Sequence, residues 1–273
     1  MSKEEDFNQS EEAVETRDSE SELKPKSFPR RKSGRARARE AIAPGAPREG
    51  QLWLPPSASL STRAIKFRGL SSFRGAMVNP KDHREMHYES TLERDTAYIL
   101  LANPDITDIR DQPPKVHFFD RSSKPHSHTF DFDFRLKTGE RMAIAVKLES
   151  QVERSGILET LALIREQRPK GCADYVELRT ERLITRIRAR NARMIVRAIN
   201  NRVERNVDAV RDAFSRCAGA IRISDLIEVS VPAGPGFMAI LCLIADGIIE
   251  QVGNDNLSYD SFVCQRANNK KGE

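Results

Sequence analysis

Cysteine is scarce in this chain and never paired at short range. Cys172, Cys217, Cys242 and Cys264 are the only four in 273 residues, and no CxxC spacing occurs. A disulfide frame and a zinc knuckle are therefore both excluded as organising devices, and the four read as reduced, intracellular thiols. Long apolar runs are also missing. The longest candidate, residues 237–249, falls short of the roughly 20 residues a membrane span needs and contains Asp246. No apolar h-region follows the amino terminus, which is acidic and polar, so a secretory leader is not expected. These absences leave a cytoplasmic, nucleoid-associated protein with no membrane partner as the expectation. The length allows one or two domains plus a tail.

Charge is segregated. Glu4, Glu5, Asp6, Glu11, Glu12 and Glu15 make the start acidic, and residues 24–39 are basic, with Arg30, Arg31, Lys32, Arg35, Arg37 and Arg39. The net charge of +5 hides this, because the two halves partly cancel. Few apolar residues accompany the charges, so residues 1–60 are expected to be a disordered tail. Such a tail is either simply solvated or a non-specific DNA-contacting arm, and Arg63, Lys66, Arg68 and Arg74 carry the positive trend onward.

Three blocks then carry chemistry: YESTLE at 88–93, HTFDFDF at 128–134 and MAIAVKLE at 142–149. Residues 129–136 alternate, with Phe130, Phe132 and Phe134 on one face and Thr129, Asp131 and Asp133 on the other. A Lys-Thr-Gly-Glu turn leads to a second strand over 141–148, whose Ala143, Ala145, Lys147 and Glu149 lie opposite Met142, Ile144, Val146 and Leu148. This hairpin sets Asp131 and Lys147 on one side of a sheet. The lysine sits on a strand too apolar to be an ordinary edge, so it needs a partner. Upstream, residues 89–101 have helical spacing that puts Glu89 and Glu93 on one face, a like-charge pair that costs stability without a nearby cation. Two carboxylates and a lysine are the groups a metal-dependent phosphodiester nuclease uses. His126 and His128 form an HxH beside Ser and Pro, which reads as loop rather than as a ligand pair.

The chain resembles the PD-(D/E)xK nucleases, and within them the TnsA-like endonuclease subunits of heteromeric transposases. The resemblance covers about residues 73–183 and is carried by YESTLERD (88–95), NPDITDIRDQPP (103–114), HTFDFDF and AIAVKLE. It implies an α/β (α+β) fold: a restriction-endonuclease-like mixed sheet flanked by helices over 61–183. It also implies Glu93 as the helix carboxylate, Asp131 as the central metal ligand and Lys147 as the catalytic lysine, around Mg²⁺ or Mn²⁺. The implied activity is a hydrolase that cuts DNA at transposon ends, alongside an integrase-type transposase and an AAA+ ATPase. In the family, the dipeptide at Gln112-Pro113 shapes the rim of the site; the prolines alone would also force an extended entry into residues 115–119.

One position departs from that pattern. The family usually has Glu or Gln two residues before the lysine, and Ala145 stands there. Either the site works with fewer protein ligands, or another carboxylate (Glu149, Asp133 or Glu89) substitutes, or the chain is a catalytically inactive nuclease-fold adaptor that binds DNA or transposase partners.

Beyond the lysine, residues 152–167 are expected to be helical and 174–178 a strand, completing the core. Residues 184–273 read as a helical, winged-helix-like domain. Arg186, Arg188, Arg190, Arg193 and Arg197 decorate its first helix, and a second runs over about 203–217. A short helix over 223–229 is capped by Ser224, a Gly-Pro-Gly turn spans 234–236, and an apolar helix covers 237–248. A hairpin of residues 249–252 and 257–263 follows. The last helix is too apolar to read bases, so docking to protein is as good a use of this domain as docking to DNA.

Overall fold

Alternation, turn chemistry and caps place the elements in the computed structural model, which describes residues 54–62 and 73–267. The basic run from Arg30 to Arg39 lies outside the described residues, as do Arg63, Lys66 and Arg68. Residues 55–60, expected as tail, are tied to the fold. Ser57 N–H donates to the His83 carbonyl, and the Ser57 carbonyl accepts from Glu85 N–H.

Strands β1 (Gly75–Asn79) and β2 (Arg84–Tyr88) form an antiparallel ribbon that leads into helix α1 (Thr91–Ala102). Strand β3 (Ile106–Asp111) follows, then a second ribbon of β4 (Val116–Phe119) and β5 (Pro125–His128). The expected hairpin is β6 (Phe132–Leu136) and β7 (Arg141–Val146), turned at Gly139 with φ +96°. Helices α2 (Glu149–Ser155) and α3 (Ile157–Gln167) then cross over to β8 (Tyr175–Arg179). The sheet order is β3-β6-β7-β8, antiparallel except for the β7–β8 pair, which is parallel. This is a mixed α/β architecture with seven helices among the described residues.

Both faces of the sheet are buried around β7, which is why it is apolar from Met142 to Val146. Phe132, Phe134, Ile144 and Val146 pack on the side of Leu100 and Leu101 of α1. Ala143 and Ala145 face Val152, Leu161 and Ile164 of α2 and α3. Phe130 belongs to this second core, not to the face of Phe132 and Phe134 as alternation suggests. The expected single helix over 152–167 is two helices, broken at Gly156, whose φ of +63° an L side chain rarely adopts.

The remaining elements are α4 (Arg186–Asn200), α5 (Glu204–Ser215), β9 (Ile221–Arg222), α6 (Ile223–Glu228), α7 (Ala233–Ala245), β10 (Ile249–Gln251) and β11 (Phe262–Gln265). The expected two-stranded hairpin is a three-stranded sheet, β10-β11-β9, because Val263 also pairs with Ile221. Helix α6 starts from Arg222 without a side-chain cap, so Ser224 is not its N-cap. The Gly-Pro-Gly stretch is the first turn of α7, where a proline's missing N–H has no partner to lose. Gly236 is required there: a Cβ would come within 2.3 Å of the Val231 carbonyl.

Helix α7 is buried by Ala239, Ile240, Leu241, Cys242 and Leu243 and packs against α4, α5 and α6. Helix α4 packs in turn on α1, so a single core continues from the sheet into the carboxy-terminal helices. An ion pair fastens the join: Arg266 donates to both Asp105 oxygens at 3.1 and 2.5 Å. Within the carboxy-terminal helices, Arg202 donates to both Asp246 oxygens at 3.0 Å. None of the described helices is long and apolar enough to cross a membrane.

Candidate active site

Asp131 sits at a bend immediately before β6, and its position is held by backbone. Its N–H donates to the Ile144 carbonyl and its own carbonyl accepts from Gln112 N–H, at 3.0 and 2.9 Å. Its carboxylate accepts from Val146 N–H at 2.6 Å, in place of a ladder bond between strands. That bond points the Asp131 side chain at the end of β7, one residue before Lys147.

Burial pushes the Asp131 carboxyl up from an ordinary 3.8 to about 7, and the neighbouring Glu93 charge adds to the rise. The Val146 N–H and the Lys147 ammonium oppose it, and Glu89 adds a smaller upward push. Glu93 is raised too, first by burial; hydrogen bonds from Glu89 N–H and Ser90 pull against this, and Lys147 acts on it in the same downward sense. Glu93, Asp131 and Lys147 are thus electrostatic neighbours, brought together from the first turn of α1, the bend before β6 and the residue after β7. Glu89 lies beside them but precedes the helix.

Glu93 also closes a capping box, which the sequence reading missed although Ser90-Thr91-Leu92-Glu93 is its signature. Ser90 Oγ accepts from Glu93 N–H at 3.1 Å and donates to one carboxylate oxygen at 2.9 Å, and the other oxygen accepts from Glu89 N–H at 2.6 Å. The cap pre-positions the carboxylate at the end of the helix. Ser90→Ala is expected to cost about 1 kcal/mol in urea unfolding and to loosen Glu93 without removing it.

Two of the candidate substitute ligands are engaged elsewhere. Asp133 faces the α3 side of the sheet and is bound by the Arg141 guanidinium. Glu149 does not extend the Lys147 strand: it opens α2 and pairs with Arg182 at 3.0 Å. Ala145 is 1 % exposed, enclosed by the Phe130, Leu161 and Val176 cluster.

Gln112 is buried at φ +40°, a strained setting for a side chain of its size. Besides fixing Asp131, its carbonyl accepts from Thr62 N–H at 3.1 Å and its Oε1 from Ser61 Oγ at 3.1 Å. It shapes the site by tying three segments together. Asp111 beside it is buried but spent on Ser59 Oγ and His87 N–H.

His128 is not a loop residue: it ends β5 with its ring edge-on to Phe130, centroids 4.8 Å apart. Its Nε2 is buried with no hydrogen-bond partner among the described residues. Burial and the nearby Lys147 charge hold the imidazole below its usual range, which favours its neutral form. A neutral imidazole there can donate to or accept from a bound group. His126 pairs with Asp120 instead, at 3.0 Å.

The donor chemistry of the cluster fits a hard divalent cation. Glu93 raises the pKa of Asp131, and a cation between these two half-buried carboxylates would relieve that repulsion; oxygen donors suit Mg²⁺ or Mn²⁺. Among the described residues no three His, Cys, Asp or Glu side chains converge as a ligand set, so water or substrate oxygen would complete the coordination. No known family model and no curated protein matches this chain.

Proposed function

We propose that this chain is a metal-dependent DNA endonuclease, the cutting subunit of a heteromeric transposase that works with an integrase-type transposase and an AAA+ ATPase. The observation that carries the reading is the convergence of Glu93, Asp131 and Lys147 at one end of a mixed sheet. The order β3-β6-β7-β8, with a carboxylate before β6 and a lysine after β7, supports a restriction-endonuclease-like core. The order α5, β9, α6, α7, β10, β11 with its three-stranded sheet supports a winged helix. Its third helix, α7, is covered by α4, α5 and α6, which favours protein docking over base reading for that element.

Glu93 and Asp131 would hold the cation, which when bound supplies Lewis-acid polarisation of a phosphate oxygen and acidifies a water. Lys147 carries its positive charge beside both carboxylates, where it offsets negative charge building on the phosphorus centre or orients the attacking water. The fixed backbone around Asp131 keeps these groups from reorganising during the reaction.

The test is nicking of supercoiled plasmid with Mn²⁺ or Mg²⁺, alone and with any encoded transposase. Wild type is expected to nick, and Lys147→Ala to lose about 10²–10³ in rate, the usual cost of one preorganised charge-stabilising group. Ala145 favours a second reading, the non-cutting adaptor, because its side chain supplies no ligand. Metal-dependent nicking absent from wild type in every combination would leave the adaptor as the function.

A further inference from the structure

Helix α4 carries five arginines and no acidic residue. Arg186, Arg190, Arg193 and Arg197 follow at steps of four, three and four, which at about 100° per residue confines them to a stripe roughly 60° wide. All four are exposed, while Ala189, Ala192, Ile195, Val196 and Ala198 fill the buried side. Arg193 pairs with Asp95 at 2.5 Å and lies over the Tyr98 ring. Arg186, Arg190 and Arg197 have no ion-pair partner among the described residues.

This arrangement costs the helix stability. Like charges three and four residues apart repel, and Arg186 stands at the amino-terminal, positive end of the helix dipole. A merely solvated face intersperses acids among its bases, and this one does not. Guanidinium groups in a row match phosphate oxygens, each able to make a two-pronged hydrogen bond. From Arg186 to Arg197 the stripe runs about 16 Å, roughly five nucleotide steps along one strand of B-form DNA at about 3.4 Å each. The pair of Arg193 with Asp95 ties the stripe to α1, the helix whose first turn carries Glu93.

We propose that the α4 arginine stripe binds the phosphate backbone of duplex DNA and holds it beside the Glu93, Asp131 and Lys147 cluster. The choice of duplex DNA as ligand rests on the nuclease reading. The stripe itself is read from α4 alone.

The experiment is fluorescence anisotropy of the full chain with a labelled duplex in EDTA, titrated at several salt concentrations. The variants are an Arg186→Gln, Arg190→Gln, Arg197→Gln triple and the corresponding Arg→Lys triple, with Arg193 kept because it holds Asp95. Losing three phosphate contacts is expected to flatten the salt slope by about 2.7, so affinity falls roughly fortyfold less steeply between about 50 and about 200 mM salt. The Gln triple should bind more weakly than wild type at low salt whatever the DNA sequence, and the Lys triple should keep most of the slope. A Gln triple with wild-type affinity and slope overturns the proposal, as does an equal loss in both triples, since charge is what the stripe supplies. Plasmid nicking by a wild type that shows no duplex binding would sink the stripe and leave the nuclease reading standing. If neither nicking nor binding occurs, both fall.

Discussion

Asp131→Asn is expected to abolish metal-dependent nicking while making the metal-free protein more stable at neutral pH. Lewis-acid stabilisation contributes several kcal/mol and each ~1.4 kcal/mol is a factor of ten, so the rate should fall by about 10³ or more. Stability moves the other way because loss of solvent around the Asp131 carboxyl, with the neighbouring Glu93 charge second, lifts its pKa to about 7. Between an ordinary 3.8 and about 7, the folded protein keeps a proton that the unfolded chain has already released. Stability is therefore fully present at the acid end of that window and falls as pH rises through it. Glu93, also raised, pulls in the same direction. Asparagine cannot ionise and can still accept from Val146 N–H, so the variant should lose most of this slope. Melting temperatures in EDTA from about pH 4 to about pH 8 read the difference directly. Divalent cation should restore stability to wild type at neutral pH and do little for the variant. A wild type whose stability does not fall across that window would mean that Asp131 is not held near Glu93 as the structure has it.

The same position shows where sequence reading stops. Asp131 and Lys147 could be placed on one hairpin because alternation and a glycine-containing turn are local signals. The bend at Asp131 could not, since it depends on Gln112 N–H, from the residue after β3, and on Val146 N–H, from β7. That bend moves Phe130 into the second core, against strict alternation. Glu93 was legible as a helix carboxylate, and its capping box was legible too, but an i,i+4 reading with Glu89 took precedence over the S-x-x-E pattern. Glu149 leaves the Lys147 strand for a tertiary reason: the crossover to β8 begins sooner than the apolar pattern indicates. His128 gave only a weak signal, because a histidine near Ser and Pro looks the same whether its ring faces solvent or Lys147. The Gly-Pro-Gly stretch reads as a turn in sequence but lies in the first turn of α7, where Gly236 closely approaches the Val231 carbonyl.

Ala145→Glu separates a site that works with two carboxylates from one silenced by loss of a third. The methyl group is enclosed by Phe130, Leu161 and Val176, so a glutamate side chain must displace apolar neighbours or reach along β7 toward Lys147. Overpacking alone costs about 1–3 kcal/mol, and an unpaired buried carboxylate adds to it or stays protonated. In EDTA the variant is therefore expected to melt well below wild type. If the new carboxylate reaches the Glu93 and Asp131 pair, Mn²⁺ will stabilise the variant more than it stabilises wild type, because a third oxygen ligand tightens binding to the folded state alone. Nicking that appears only in this variant would identify a nuclease silenced at one position, kept for what its fold holds. Nicking by wild type together with no extra Mn²⁺ stabilisation in the variant would assign Ala145 to the core. Two carboxylates and a lysine would then be the whole protein contribution.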